Sequence, residues 1–357
     1  MSLSIGILGL PNVGKSTLFK ALTKKPVDIS NYPFCTIEPN VGVVEVPDER
    51  LEKLAEVQKP KRIVPSFIKF LDVAGLVKGA AQGEGLGNQF LAHLKETDVL
   101  LEVVRCFKDE NVSHVAGIVE PKRDIEIIKS ELILKDLETV KNRLQKIEKD
   151  VKAGGKEAKI EFELLTSLED NLKKGNDTLS SFLKNLELDK REIIKGLFLL
   201  AAKPKIYLLN CNEKEDIEEI KKEIKNEGNS FLRLDLREEL DKSELTEKDR
   251  EELGLSQSQL DSLIKKCYEI LDLITFFTIV GEEEARAWPI KKGSTILEGA
   301  GKVHSDFREK FIKAEVINWQ ELLKVGDWKE CARAGLLKTV GRDYILEDGD
   351  VIEIKHG

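Results

Sequence analysis

A chain of 357 residues, 41% of them hydrophobic, is too long for one ordinary core and apolar enough to build two or three. Its formal charge of −8, from 57 basic and 65 acidic side chains, excludes a protein that coats nucleic acid by bulk electrostatics and leaves any RNA partner to a local patch. Five cysteines without CxxC or Cys/His spacing argue against a zinc site and a disulfide framework, and no stretch approaches the ~18 apolar residues of a membrane span.

The first element is an apolar run over residues 5–10 that leads into Gly9-Leu10-Pro11-Asn12-Val13-Gly14-Lys15-Ser16, a complete GxxxxGKS phosphate-binding loop, followed by a helical segment over 17–22. A strand that turns through glycines into a helix aims backbone N–H groups and a positive helix end at one point, and a polyphosphate is the ligand that suits them. Asn12, Val13, Gly14, Lys15, Ser16 and Thr17 are therefore the expected phosphate-binding residues, with Lys15 on the outer phosphates and the Ser16 hydroxyl on Mg²⁺. An N-terminus that opens on a core strand rather than a basic leader, with cysteines read as free thiols, leads us to expect a cytoplasmic protein.

The polar stretch over 28–34 then reaches Cys35-Thr36-Ile37-Glu38. Thr36 is either a movable switch threonine on Mg²⁺ and the terminal phosphate or a plain residue leading a strand. An edge strand is expected over 41–46, a short helix over 47–57, and a strand over 66–73 that ends in Asp72-Val73-Ala74-Gly75. Asp72 would hold the Mg²⁺ shell and the Gly75 amide would sense the terminal phosphate. Five glycines between Gly75 and Gly87 mark a second switch, and the residue after DxxG is Leu76, which cannot orient water as a glutamine would. A strand over 99–104 leads to a polar loop over 108–115, where His114 is either a group that positions water or a surface histidine.

From residue 122 to 195 apolar residues recur at helical spacing among charges of both signs, broken at Gly154-Gly155, which predicts an antiparallel, coiled-coil-like hairpin. The α/β pattern resumes with a strand over 205–209 and Asn210-Cys211-Asn212-Glu213, where guanine-specific relatives carry Asn-Lys-x-Asp. Replacing Asp by Glu213 loosens a guanine clamp, while an amide from Asn210 or Asn212 still suits adenine, so ATP is expected over GTP. The last strand of the sheet, over 230–236, runs into Asp235-Leu236-Arg237, which lacks the Ser-Ala-Lys of guanine readers. From residue 275 short strands flank a helix expected over 301–311, a β-grasp-like unit. Residues 276–357 hold 13 basic and 15 acidic side chains, so this unit is no general polyanion clamp, and only the stripe Lys302, His304, Arg308, Lys310 and Lys313 offers RNA a patch.

The expected fold is therefore α/β: a GTPase-like P-loop NTPase with a mostly parallel sheet (residues 1–121 and 196–274), a helical coiled-coil insertion (122–195) and a C-terminal β-grasp domain (275–357). These motifs, with Asn31-x-Pro33-Phe34-Cys35-Thr36, Asp72-Val73-Ala74-Gly75-Leu76-Val77-Lys78 and Gly83-Glu84-Gly85-Leu86-Gly87-Asn88, resemble the Obg-like ATPase (YchF) family, and Arg286-Ala287-Trp288 and Val303-His304-Ser305 are similar to its TGS domain. The resemblance implies ATP preferred to GTP, hydrolysis without the usual glutamine, and His114 as the catalytic residue. It also implies association with the ribosome. RNA contact through the TGS domain, a monomeric state and K⁺ at Asn12 are further expectations. Two rival readings are a nucleotide-sensing module with little hydrolysis and a true GTPase.

Overall fold

The computed structural model describes residues 3–24, 40–72, 93–115, 117–212, 215–255, 258–281 and 283–357. Two six-stranded sheets organise them. The first contains β1 (Leu3–Leu8), β2 (Val41–Glu45), β4 (Phe67–Asp72), β5 (Val99–Arg105), β6 (Lys205–Asn210) and β7 (Ser230–Leu234), in the order β2-β4-β1-β5-β6-β7. Every neighbouring pair is parallel except the β2–β4 edge. β5 and β6 are buried along their whole length, as expected of parallel strands covered on both faces; they are mostly apolar, and the charges they carry side by side, Glu102 and Lys205, pair at 3.2 Å. The mostly parallel sheet and the edge position of β2 match the sequence expectation.

The helical insertion is more closely tied to this sheet than a free arm would be. Helix α1 (Lys15–Thr23) follows the phosphate loop and α2 (Glu49–Gln58) follows β2; the insertion begins with α3 (Pro121–Lys152), whose proline occupies the first turn, where its missing N–H costs nothing. The first third of α3 packs on the sheet: Ile125 joins Tyr207 and Leu209, and Ile128 and Leu132 join the cluster of Ile206 and Leu208. Further along, the buried Asp136 carboxylate accepts from Leu200 N (2.8 Å) and Ala201 N (2.7 Å). Beyond it, Val140 and Ile147 pack with Leu164, Leu165, Leu168 and Leu172 of α4 (Lys156–Lys174), the second limb after the turn at Gly154. Two shorter helices, Asn176–Lys184 and Leu188–Lys195, return the chain to β6. One continuous helix is thus scaffold at its start and arm at its end.

The second sheet has the order β11-β10-β12-β8-β9-β3, built from β8 (Leu273–Val280), β9 (Glu284–Lys291), β10 (Phe311–Asn318), β11 (Lys338–Val340), β12 (Asp350–His356) and β3 (Arg62–Val64). β12 runs parallel to β8, and the helix Ile296–Val303 buries Ile296 and Ala300 on the sheet, the β-grasp arrangement. The helix expected over 301–311 is instead two: Ile296–Val303 and Ser305–Glu309, with Phe311 opening β10. A Thr295/Glu298 capping box starts the first, and His304 accepts from Asp306 N to start the second.

β3 was not expected at all, and it belongs to the second sheet although its sequence lies between strands of the first. Arg62, Ile63 and Val64 pair in parallel with Glu284, Ala285 and Arg286. α2 goes with it, burying Leu51 and Leu54 against Phe277, Ala287, Leu322 and Val351. Arg50 Nη1 meets Asp348 Oδ2 at 2.7 Å. Residues 49–64 therefore leave the first sheet after β2, complete the C-terminal core, and return through β4, whose last residue is Asp72.

Candidate nucleotide site

β1 ends at Leu8, and the loop that follows is shaped by two left-handed glycines and one left-handed asparagine: Gly9 at φ 149°, Asn12 at 61° and Gly14 at 109°. A side chain at Gly14 would meet Asn210 Nδ2 at 2.5 Å, so both the backbone angle and the space require glycine. α1 starts at Gly14 without a side-chain cap, which leaves its first N–H groups unspent and directed at one point. Val13 is buried beneath the loop, Thr17 is half-buried, and Ser16 is exposed at the loop's mouth.

The Lys15 ammonium bonds Leu10 O (2.7 Å) and Gly9 O (3.0 Å), folded against its own loop. Burial lowers its pKa to about 8, and the nearby Asp72 carboxylate opposes that shift. Asp72, at the end of β4, is held above the ordinary carboxylate range by burial, against the pull of Lys15 and of a hydrogen bond with Ser16. Its Oδ1 is buried without a hydrogen-bond partner. A donorless carboxylate oxygen beside a hydroxyl is the oxygen-rich set a hard divalent cation satisfies, so Asp72 and Ser16 fit Mg²⁺. Thr36, Gly75 and Leu76, the other residues read as sensing metal or terminal phosphate, lie outside the described residues, as does Glu213.

Asn210, expected near the base, is tied to the phosphate loop. Its amide donates to Val13 O (2.9 Å) and accepts from Leu236 N (3.2 Å), and the residue is buried. With one N–H and one lone pair so used, and a second of each remaining, it braces the loop after β6, the phosphate loop and the segment after β7 together. Asn212 is exposed two residues on, with its carbonyl held by the Arg233 guanidinium of β7. Asp235 caps the helix Leu236–Ser243, accepting from Arg237 N and Glu238 N.

On the other side of the phosphate loop lies the segment after β5. Arg105, almost wholly buried, donates to the carbonyls of Phe107, Asp109, Val112 and Ser113 at 3.1–3.3 Å and so gathers the whole loop. Asn12 Nδ2 reaches both the carbonyl and the hydroxyl of Ser113 at 3.2 Å. His114 is the next residue after Ser113 and so lies beside the phosphate loop. Its ring, however, is buried: Nε2 lies 2.9 Å from Oδ2 of Asp124 in the first turn of α3. Arg105, Asp124 and Arg233 carry no motif, and only the apolar context of Arg105 within a buried strand hinted that its charge had to find partners.

The described part of the site is thus a P-loop with the buried Asp72 carboxylate beside it, a braced loop after β6 and a histidine-bearing loop after β5, on a mostly parallel sheet. Comparison with known proteins agrees over the whole length. The chain is 43% identical to a Bacillus subtilis protein named ribosome-binding ATPase YchF, covering 99% of both, and 42% identical to an Escherichia coli O157:H7 protein of the same name, covering 99% of this chain and 98% of that one. The chain belongs to the YchF family. A family model named YchF-GTPase_C, described as a protein of unknown function, matches residues 273–357, and one described as a 50S ribosome-binding GTPase matches residues 4–157. The solved structure of the Schizosaccharomyces pombe YchF GTPase superposes with a TM-score of 0.83 at 36% identity, covering 99% of this chain and 98% of that one. The YchF likeness therefore extends to both sheets and to the insertion. Among the described residues no helix is long and apolar enough to cross a membrane.

Proposed function

We propose that this YchF-family nucleotide hydrolase is a slow, Mg²⁺-dependent ATPase that works as a switch on the ribosome. The names of its full-length relatives, ribosome-binding ATPase, support both the nucleotide and the partner. The observation that carries the reading is the convergence of Lys15, Ser16, Asp72 and the His114 loop on one uncapped helix start. In this reading the N–H groups of residues 13–17 and the Lys15 ammonium cradle the β- and γ-phosphates. Ser16 and Asp72 hold Mg²⁺, which neutralises charge on the phosphate oxygens. His114 orients the attacking water. As the water oxygen bonds to the γ-phosphorus, the bond from that phosphorus to the bridging oxygen breaks, and ADP departs with the electron pair. Thr36 and the Gly75 amide close on the terminal phosphate in this reading. Leu76 in place of glutamine accounts for slow turnover.

Base choice falls to Asn210, Asn212 and Glu213, the Asn210 amide keeping a second N–H and a second lone pair beside its bonds to Val13 and Leu236. The longer Glu213 suits the donor pair of guanine poorly, which favours ATP. An RNA contact through the C-terminal domain would use His304, Arg308, Lys310 and Lys313, all exposed; Lys302 is turned inward onto Pro289 O and leaves the stripe. The protein is read as a cytoplasmic monomer, and the Asn12 side-chain oxygen is the group that K⁺ would use. Affinity and hydrolysis for ATP and GTP, with and without ribosomes and in K⁺ or Na⁺, test this function. ATP should bind at least tenfold tighter than GTP, a gap of about 1.4 kcal/mol, and ribosomes should raise its turnover. Equal affinities would return the protein to the GTPases, and turnover indifferent to ribosomes would reduce it to a nucleotide sensor.

A further inference from the structure

The loop from residue 106 to residue 120 is held at both ends, but by different bodies. Arg105 and Asn12 fasten its first part to the sheet and the phosphate loop. Its last part is fastened to the arm helix: Arg123 Nη2 donates to Ile118 O (2.6 Å) and Asp124 N to Glu120 O (3.0 Å), while Gly117 N closes a turn within the loop on His114 O (2.9 Å). His114 stands where the two anchorages meet, one residue beyond Ser113. Its imidazole turns to the arm side, with Nε2 2.9 Å from Asp124 Oδ2 and only 2% and 4% of the two side chains exposed. Asn12 and Ser16, by contrast, are exposed at the mouth of the phosphate loop, where attacking water must stand. The ring nitrogen that would face that water is engaged with Asp124 in this state. Asp124 is held as well, since its Oδ1 lies 3.3 Å from Arg123 Nη2.

We infer that Asp124 is a positioning residue that latches His114 in a withdrawn state, and that displacement of the first turn of α3 releases it to the phosphate site. The inference rests on the reading of His114 as the hydrolytic residue. α3 suits such a latch because it is unbroken from Pro121 to Lys152: a load on the far limb is carried along one helix to the turn that holds the histidine. Slow basal turnover then has a second origin beside Leu76, and a partner that grips the arm gains a direct route to the reaction centre. The opposite assignment, Asp124 as an orienting base in a His–Asp pair that works as it stands, demands an imidazole facing the phosphates. The burial of the ring speaks against it.

The test uses the full chain with Asp124→Ala, and with Asp124→Asn as the milder variant that keeps the shape of the first turn should the alanine variant fold poorly. Loss of a charge-assisted hydrogen bond should raise kcat without ribosomes about tenfold in Asp124→Ala, with ATP Kd unchanged within twofold, and by less in Asp124→Asn. The second readout is independent of hydrolysis. His93, His304 and His356 are exposed, so diethyl pyrocarbonate should modify those three in the parent protein and spare His114, and should modify His114 as well in Asp124→Ala. His114 that stays protected in both variants overturns the latch. So does a fall in kcat, which would make Asp124 a supporting partner in catalysis. If His114→Ala leaves hydrolysis unchanged, the catalytic reading of the histidine fails, and the labelling pattern still decides whether Asp124 holds it.

Discussion

Raising the pH from 7 to 9 should weaken ATP binding about tenfold, because the ammonium that receives the phosphates is partly starved of its proton in the free protein. Lys15 is pulled inward onto Gly9 O and Leu10 O, and burial brings its pKa down to about 8 from the 10.5 of an exposed lysine. The sign follows from linkage. A bound polyphosphate favours the charged form and returns the pKa towards its ordinary range, so below pH 8 the lysine is already charged and binding moves no proton. Above pH 8 the free protein is mostly neutral there and binding must take a proton up, until about pH 10.5, where the bound form also titrates. At pH 9 the penalty against pH 7 is about tenfold in Kd, or about 1.4 kcal/mol. Calorimetry of Mg·ATP binding at pH 7, 8 and 9, each in two buffers of different ionisation enthalpy, reads both the affinity and the proton. Nearly one proton should be taken up per nucleotide at pH 9 and almost none at pH 7. Affinity flat across this range, with no proton linkage, would refute the argument that burial rather than the Asp72 charge sets the state of Lys15.

Two substitutions probe the frame around the site. Asn210→Ala strands the buried Val13 carbonyl and Leu236 N–H; each unmet group costs about 1–3 kcal/mol, so urea denaturation should show a loss of about 2–6 kcal/mol for the two, and ATP and GTP should lose affinity together. A loss confined to ATP would mean that the base, not the brace, is the main task of Asn210. Leu54→Ala, fully buried among Phe277, Leu322 and Val351 in the C-terminal core, should destabilise the protein by about 2–5 kcal/mol while leaving ATP affinity unchanged. A cost below about 1 kcal/mol would contradict the placement of α2 in that core.

What could be read beforehand divides by sequence distance. The phosphate loop was legible because its chemistry is local: Gly14, Lys15 and Ser16 are adjacent, and the strand and helix they join declare themselves within twenty residues. The parallel sheet was legible because β5 and β6, buried on both faces, are mostly apolar between their polar ends. The Thr295/Glu298 capping box was visible in the sequence and went unused, so the helix was placed five residues late. Other features were not legible in principle. Asn210 meets Val13 across 197 positions, and no local pattern reveals that its amide also ties the phosphate loop. β3 is three residues long and finds its partner, β9, more than 220 residues away, so its period could not announce a strand. The pairing of His114 with Asp124 was equally hidden, because an aspartate in the first turn of a helix already has a sufficient explanation in the helix dipole.

The β3 and α2 excursion also bears on how a nucleotide switch could be felt at a distance. Residues 49–64 join β2 to β4, whose last residue is Asp72, and they are built into the C-terminal core. The C-terminal domain is thus attached to the two strands that lead to and from this excursion, while the arm is attached through α3 to the histidine-bearing loop. In the proposed function, a partner that grips either the C-terminal domain or the arm is one element away from the phosphate site.

The account stands most directly on the turnover of His114→Ala at saturating Mg·ATP, measured beside its ATP affinity. Loss of a group that positions or polarises water should lower kcat about a hundredfold or more, and ATP Kd should hold within twofold because nucleotide binding is carried by the phosphate loop and not by the ring, which is paired with Asp124. A kcat equal to that of the parent protein, with affinity intact, would contradict it.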